Sequence, residues 1–166
     1  AIASGLKPAE STAAFVMGRL QDYLAYINER DQLGISASDL EIAMIAITKK
    51  LYFIMKERGY SQILMPAAFR CASQVTELSG AEVEMTIHPK IQEMITIADA
   101  KGELKRIECL DNPIDEEALN RVLKAFPDFK RAYEVDGLHI DEFDDFGATV
   151  MTLNGFDQGW KKLLEL

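Results

Sequence analysis

The chain has 166 residues, 48% of them apolar and 27% charged, the composition of an ordinary folded domain with a sizeable core. A net charge of −9 argues against nucleic acid as a partner, because lysine and arginine cluster only in short pairs such as Lys49-Lys50, Lys105-Arg106 and Lys130-Arg131. No apolar run reaches the about 18 residues of a membrane span, and no leader pattern opens the sequence, so no membrane partner and a cytoplasmic location are expected.

Ala1 to Leu6 is small and apolar and is interrupted by Lys7-Pro8; Ser11 to Val16 is short and compatible with a strand. Arg19 stands just ahead of a segment, Leu20 to Ile27, whose Leu20, Tyr23, Leu24 and Ile27 fall at helical spacing. Asn28 to Ile35 is polar and ends Leu33-Gly34-Ile35, a connection. Ser38-Asp39-Leu40-Glu41 fits a capping box, so a helix is expected from there to about Arg58, with Gly59 supplying the left-handed residue that ends it. Its stripe of Leu40, Ala43, Ile47, Leu51, Ile54 and Met55 is widened by Met44, Ile45 and Phe53, which implies cover on more than one side.

Ile63-Leu64-Met65 is continuously apolar and suits a strand buried on both faces. It runs out at Arg70, and an arginine at the end of a buried strand serves solvent or an anion. Ser73 to Leu78 reads as a helix of barely two turns ended by Ser79-Gly80, and Val83 to Ile87 as the next strand. The about twenty residues between the two strands leave room for a crossover helix, making a βαβ unit. Ile91 to Ala100 places Ile91, Met94, Ile95 and Ala98 on one helical face. Asp111 to Glu117 combines a turn signal with acids in a first helical turn, and the helix that follows is halted by Phe126-Pro127. Phe129 to Phe146 is the least regular region. A closing helix from Phe156 or Asp157 to Leu166 brings Trp160, Leu163 and Leu164 to one side.

No repeat, low-complexity tract or linker divides the chain, so residues 1–166 read as one unit. Strands alternating with helices indicate the α/β class, either an open doubly wound sheet or a segment of a (β/α)8 TIM barrel. Three strands are few for the former, and the glycine-rich dinucleotide fingerprint is absent. Cys71 and Cys109 lie far apart without metal-ligand spacing, so packed, reduced thiols are expected, with no metal and no cofactor.

Two blocks carry a family resemblance. "MPAAFRCASQVTELSGAEVEMTIHPKIQEMI", Met65 to Ile95, resembles the transaldolase family, in which a strand ends in a small residue, Phe and Arg. A short helix and Leu-Ala-Gly follow there, and the next strand closes on a Thr-Ile-Ser-Pro type turn. "FVMGRLQDY", Phe15 to Tyr23, is similar to the family's Phe-Val-Gly-Arg segment and the helix behind it. The resemblance is spread over roughly Ala1 to Ile95, and the closing helix with Trp160 is similar in kind to the family's last helix.

The resemblance implies a (β/α)8 barrel of which this chain is the C-terminal part, strands six to eight with their helices, with Ala1 to Gly5 as the end of a preceding helix. It implies transfer of a dihydroxyacetone unit between sugar phosphates through a Schiff-base lysine. That lysine and the family's two carboxylates would lie upstream of Ala1, leaving this chain no catalytic residue and no activity by itself. Arg19 and Arg70 match the positions of the family's phosphate-binding arginines, and paired guanidinium N–H donors suit two oxygens of one phosphate. Ala68 and His88 are expected to line the site. Four departures bear on substrate and activity: Ala68 replaces a serine before Phe-Arg, Ala13-Ala14 replaces Ser-Pro, Met17 stands between Val16 and Gly18, and His88 replaces a serine.

Three other features carry less. Asp141, Glu142, Asp144 and Asp145 lack the order of a calcium loop and read as a solvated face. Lys90 sits at a helix start, which is too exposed for a Schiff-base amine. The seven methionines read as core filler. Two alternatives remain beside the transaldolase-like reading: a half-barrel that binds a phosphorylated metabolite or a partner subunit without catalysis, and an unrelated α/β interaction protein. Three parallel strands leave two edges, so association with the rest of a barrel or with another copy is expected.

Overall fold

The computed structural model describes residue 5 and residues 11–104 and 107–165. The remaining residues of the Ala1–Leu6 stretch, Lys7-Pro8 and the Lys105-Arg106 pair lie outside the described residues. The elements run β1 (Thr12–Phe15), α1 (Met17–Asp31), α2 (Ala37–Glu57), β2 (Ile63–Pro66), α3 (Ala72–Thr76), α4 (Pro89–Ala100), α5 (Glu116–Ala125) and α6 (Pro127–Tyr133). A 3-10 turn (Ile140–Glu142) and α7 (Gly147–Leu164) complete them. The architecture is mixed α/β with a small parallel sheet, compatible with part of an α/β barrel.

β1 and β2 pair in parallel from Thr12 opposite Ile63 to Phe15 opposite Pro66. The strand expected at Val83 to Ile87 is reduced to two bridges, Leu64 with Val83 and Ala67 with Thr86. Glu84 N–H donates to Leu64 O (3.0 Å) and Thr86 N–H to Pro66 O (3.1 Å). The reciprocal bond at Pro66 has no donor, because proline lacks an N–H, and the ladder is broken there.

The expectation that β2 is buried on both faces is corrected. Leu64 and Pro66 are buried, but Ile63 is 36% exposed and Met65 is half-buried. Side chains alternate across a strand, and parallel partners share a face. Ala13, Phe15, Leu64 and Val83 therefore pack with the helix side chains Tyr52 and Met55. The opposite face carries Thr12, Ala14, Ile63, Glu84 and Thr86, all exposed.

α1 begins directly after β1, earlier than Leu20, and runs on to Asp31 because no breaker intervenes before Gln32. Gln32 takes a left-handed conformation (φ 53°) and its N–H reaches the carbonyls of Asn28 and Glu29. The Asn28 side chain then fixes the connection, donating to Ile35 O (2.9 Å) and accepting from Ile35 N–H (3.0 Å). The start of α2 also differs from the expected one. Ser36, not Ser38, is the cap: its backbone is extended, as a cap requires, and its Oγ accepts from Asp39 N–H at 3.0 Å. The far end is as expected, with Gly59 at φ 67° and Tyr60 N–H closing on Met55 O at 2.9 Å.

α2 is the centre of the core. Leu40, Ala43, Met44 and Ile47 face a cluster built with Leu20 and Leu24 of α1, Leu119 and Val122 of α5, and Phe126 and Phe129. Cover on more than one side is thus observed, although Phe53 stays exposed. Lys49, 4% exposed, crosses to the far side and donates to Glu77 Oε2 (2.8 Å) and the carbonyls of Cys109 (2.9 Å) and Asn112 (3.3 Å).

Pro127 halts α5 and also opens α6, where its missing N–H costs nothing in the first turn. α7 starts ten residues before Asp157, at Gly147, which packs against Tyr23 so closely that a Cβ there would lie 2.2 Å from the Tyr23 hydroxyl oxygen. Ala148 is its one buried residue among those described. Leu153, Phe156, Trp160, Leu163 and Leu164 are all more than half exposed.

Candidate functional site

The parallel register sets the C-terminal ends of β1 and β2 side by side, and Ala67 N–H donates to Phe15 O at 2.9 Å just past the last pair. The turns that leave these ends, Val16 to Arg19 and Ala67 to Arg70, therefore share one rim of the sheet. In parallel α/β sheets this rim is where ligands are met.

The second turn is shaped by two residues. Ala68 adopts φ 61°, a left-handed conformation that alanine rarely takes, and Phe69, 2% exposed, anchors the turn in the core. The chain is thereby reversed, and Arg70 is thrown back over α1. Its Nε and Nη2 donate to Asp22 Oδ1 (2.9 Å) and Oδ2 (2.6 Å), a bidentate pair, and its Nη1 donates to Ala68 O (2.7 Å). The hydrogen bonds to Asp22 raise the Arg70 pKa further above its ordinary value, so the guanidinium is a permanent cation.

Gly18, in the first turn of α1, makes this placement possible. A Cβ on Gly18 would lie 1.9 Å from Ala68 O and 2.6 Å from Arg70 Nη1. The guanidinium thus rests on bare backbone at the start of a helix. Val16, the residue before that helix, caps it with no side chain. Arg19 N–H closes on Val16 O at 3.0 Å, and the helix N-terminus together with a fixed cation favours an anion in the same place.

The backbone of Arg70 is held as well. Its N–H donates to Gln74 Oε1 at 2.7 Å, and Gln74 Nε2 donates to Gln21 Oε1 at 2.6 Å. Gln74 has no exposed surface at all. Cys71, the next residue after Arg70, lies with its Sγ 3.1 Å from Ser73 Oγ, and burial pushes its thiol pKa up, away from nucleophilic use.

The other anticipated residues have different surroundings. Arg19 is exposed and lies over the ring of Phe156 on α7, 5.7 Å from its centroid. It neighbours Gly18 in the chain, but its contact is aromatic where that of Arg70 is ionic. His88 is exposed and caps α4, its Nδ1 accepting from Lys90 N–H at 3.2 Å. Lys90 is exposed in the first turn of that helix. Among the described residues no group of histidine, cysteine and carboxylate side chains is arranged to hold a metal ion. The acids after His139 are engaged in part: Glu142 accepts from Arg131 Nη2 (2.7 Å) and from His139 N–H (2.8 Å).

Gly18, Gln21, Asp22 and Gln74 were not among the residues anticipated from the sequence. The signal was present as spacing. Gly18, Gln21 and Asp22 fall three and four apart on the face of α1 opposite its apolar stripe, and Gln74 lies four residues after Arg70.

Part of the chain is similar in sequence to known proteins. A transaldolase of Pseudoalteromonas atlantica is 39% identical over 56 residues, which is 34% of this chain and 17% of that protein. A transaldolase of Cellvibrio japonicus is 29% identical over 97 residues, 58% of this chain and 28% of that protein. Part of the chain is thus similar to part of the transaldolases. It spans well under two thirds of either relative, so the transaldolase likeness describes a portion of those proteins. No family model matches the chain, and no solved structure gives a significant match.

Proposed function

We propose that this chain provides the phosphate-binding side of a transaldolase-like (β/α)8 barrel, contributing its strands six to eight. The parent reaction is transfer of a dihydroxyacetone unit between sugar phosphates, with the Schiff-base lysine supplied upstream of this segment. The observation that carries the reading is Arg70. It lies at the C-terminal end of β2, is gripped on one edge by Asp22, and rests on the uncapped first turn of α1. Five N–H donors belong to a guanidinium. Three are used here, which leaves one on each terminal nitrogen for two oxygens of a phosphate. Arg19 is the second ligand, released from Phe156 to close on the anion, with Ala68 and His88 at the margin. The open edges of the sheet are where the remaining barrel strands, or a second copy, would pair, and the exposed face is the one they would enclose.

Titration of the chain with inorganic phosphate and with fructose 6-phosphate tests the site. Arg70→Ala is expected to weaken both by at least about tenfold, the order of loss for a charge-assisted bidentate contact. Undiminished binding in that variant would remove the anion-site reading.

A second reading, a non-catalytic half-barrel that binds a phosphorylated metabolite or a partner subunit, is favoured by Ala13 and Ala68, which bring no hydroxyl where the family resemblance leads one to expect serine. Borohydride trapping of the full-length protein with fructose 6-phosphate separates the two. A covalent adduct supports transfer chemistry, and phosphate binding without adduct supports the binding module.

A further inference from the structure

Among the described residues two polar side chains, Thr48 and Gln74, are fully enclosed without an ionic partner, and Gln74 sits directly behind the anion site. Gln74 is 0% exposed, and both ends of its amide are used: the oxygen takes the Arg70 N–H and the nitrogen gives to Gln21. Gln21 and Asp22 are adjacent on α1. A closed ring therefore runs from the Arg70 guanidinium to Asp22, along one peptide to Gln21, through Gln74, and back to the Arg70 backbone. Burying an amide is unfavourable unless every polar atom is satisfied. An apolar residue would fill that volume at lower cost, and other buried positions of this core are filled so.

We propose that Gln74 is a positioning residue for Arg70, holding the backbone of the strand-end turn against α1 so that the guanidinium stays on the Gly18 surface and faces an incoming phosphate. The inference rests on the anion-site reading and adds a residue that does not itself touch the ligand. Two constraints act on Arg70 from opposite ends: Asp22 orients the tip of its side chain, and Gln74 orients its root. Neither suffices alone. A side chain with several rotatable bonds held only at its tip leaves the turn free to shift, and one held only at its root leaves the guanidinium free to swing to solvent. Ala68 makes the root constraint necessary, because a left-handed alanine relaxes toward ordinary backbone when its neighbours release it. A bound anion then meets a cation whose ordering has already been done, which is the meaning of preorganisation.

The test compares Gln74→Met, which keeps the volume and removes both hydrogen bonds, with Gln74→Glu, which keeps an acceptor for the Arg70 N–H. The Gln21 amide can turn to donate to that carboxylate. Two readouts are taken on the whole chain: affinity for inorganic phosphate, and the Arg70 Nε–H signal in nitrogen-15 NMR without phosphate. In Gln74→Met the Nε–H resonance is expected to lose its protection from exchange, and phosphate to bind about tenfold more weakly, the lower end of what loss of an orienting partner costs at a bound ion. Gln74→Glu should restore the protected resonance, whereas a residue that merely filled space would not be rescued by it. A protected Nε–H and full affinity in Gln74→Met would overturn the proposal. If the unmodified chain binds no phosphate, the anion-site reading falls. The Nε–H comparison still decides whether Gln74 positions Arg70.

Discussion

The two longest helices, α2 and α7, are built from similarly apolar sequence and end in opposite situations. α2 buries residues around most of its circumference, including a lysine, and organises the core with α1, α5 and α6. α7 buries Ala148 in its first turn and then projects Leu153, Phe156, Trp160 and Leu163 outward at three- and four-residue spacing. Amphipathic spacing thus identifies which face of a helix seeks cover, and only tertiary structure shows whether cover is present. The two arginines at the rim inherit this difference: Arg70 is fastened to the α1 side of the core, and Arg19 leans on a ring of α7.

The contrast is broken or sharpened by five measurements. The largest effect belongs to the core. Met44→Ala, at a fully buried position of α2, should cost about 2–5 kcal/mol in denaturant unfolding, whereas Trp160→Ala on α7 should change stability by no more than about 0.5 kcal/mol. Equal losses would show that α7 is covered in solution. Lys49→Met comes next. It removes the cation that joins α2 to Glu77 and to the carbonyls of Cys109 and Asn112, and leaves the partly exposed Glu77 able to turn to water. A loss of about 2 kcal/mol is expected, below the full cost of breaking an enclosed pair.

A smaller effect is read by pH. Burial, helped by the hydrogen bond to Asp128 (2.5 Å), raises the Tyr23 pKa to about 12. The folded state holds that proton more tightly than the unfolded state. The associated stability is complete below the ordinary tyrosine value of about 10 and is lost as pH rises toward 12. Tyr23→Phe should flatten the fall in melting temperature over that window. The same linkage runs in the opposite sense at Asp39, whose pKa is lowered mainly by the Arg121 hydrogen bonds (2.8 and 3.0 Å). Its contribution is present above about pH 4 and is lost as pH falls further, so Asp39→Asn should lose less stability on acidification than the parent. The smallest change is a gain. Ala68→Gly relieves a left-handed alanine and, set against the added freedom of the unfolded chain, should raise stability by about 0.5 kcal/mol in the same unfolding measurement.

Much of the element order was legible because it depends on short-range chemistry. The apolar run at Ile63 to Met65, the glycine stop after Arg58 and the acids before α5 each act within one turn of chain. The misplaced features depend on neighbours distant in sequence. Ser36 and Ser38 are equivalent as residue types, and it is Ser36 that has the extended backbone a cap requires, directly after the connection held by the Asn28–Ile35 bridge. Val83 to Ile87 has the pattern of a strand, but Pro66 in the facing strand withholds a donor. The first turn of α7 lies against Tyr23, more than a hundred residues earlier, with Gly147 at the point of closest approach. At the rim, Arg70 was visible as a cation at a strand end. Its grip was not, because Asp22 and Gln74 are ordinary polar residues until the fold brings α1 and the strand-end turn together.

Gly18 gives the rim an unusual kind of sensitivity. Most substitutions near an ion pair change charge or reach, but at Gly18 the first carbon of any other side chain would occupy the place of Ala68 O and the guanidinium. A single methyl group there acts as a wedge between helix and turn. It would lift Arg70 from its seat without altering any charged residue, and would expose how much of the site is made of contact and how much of electrostatics.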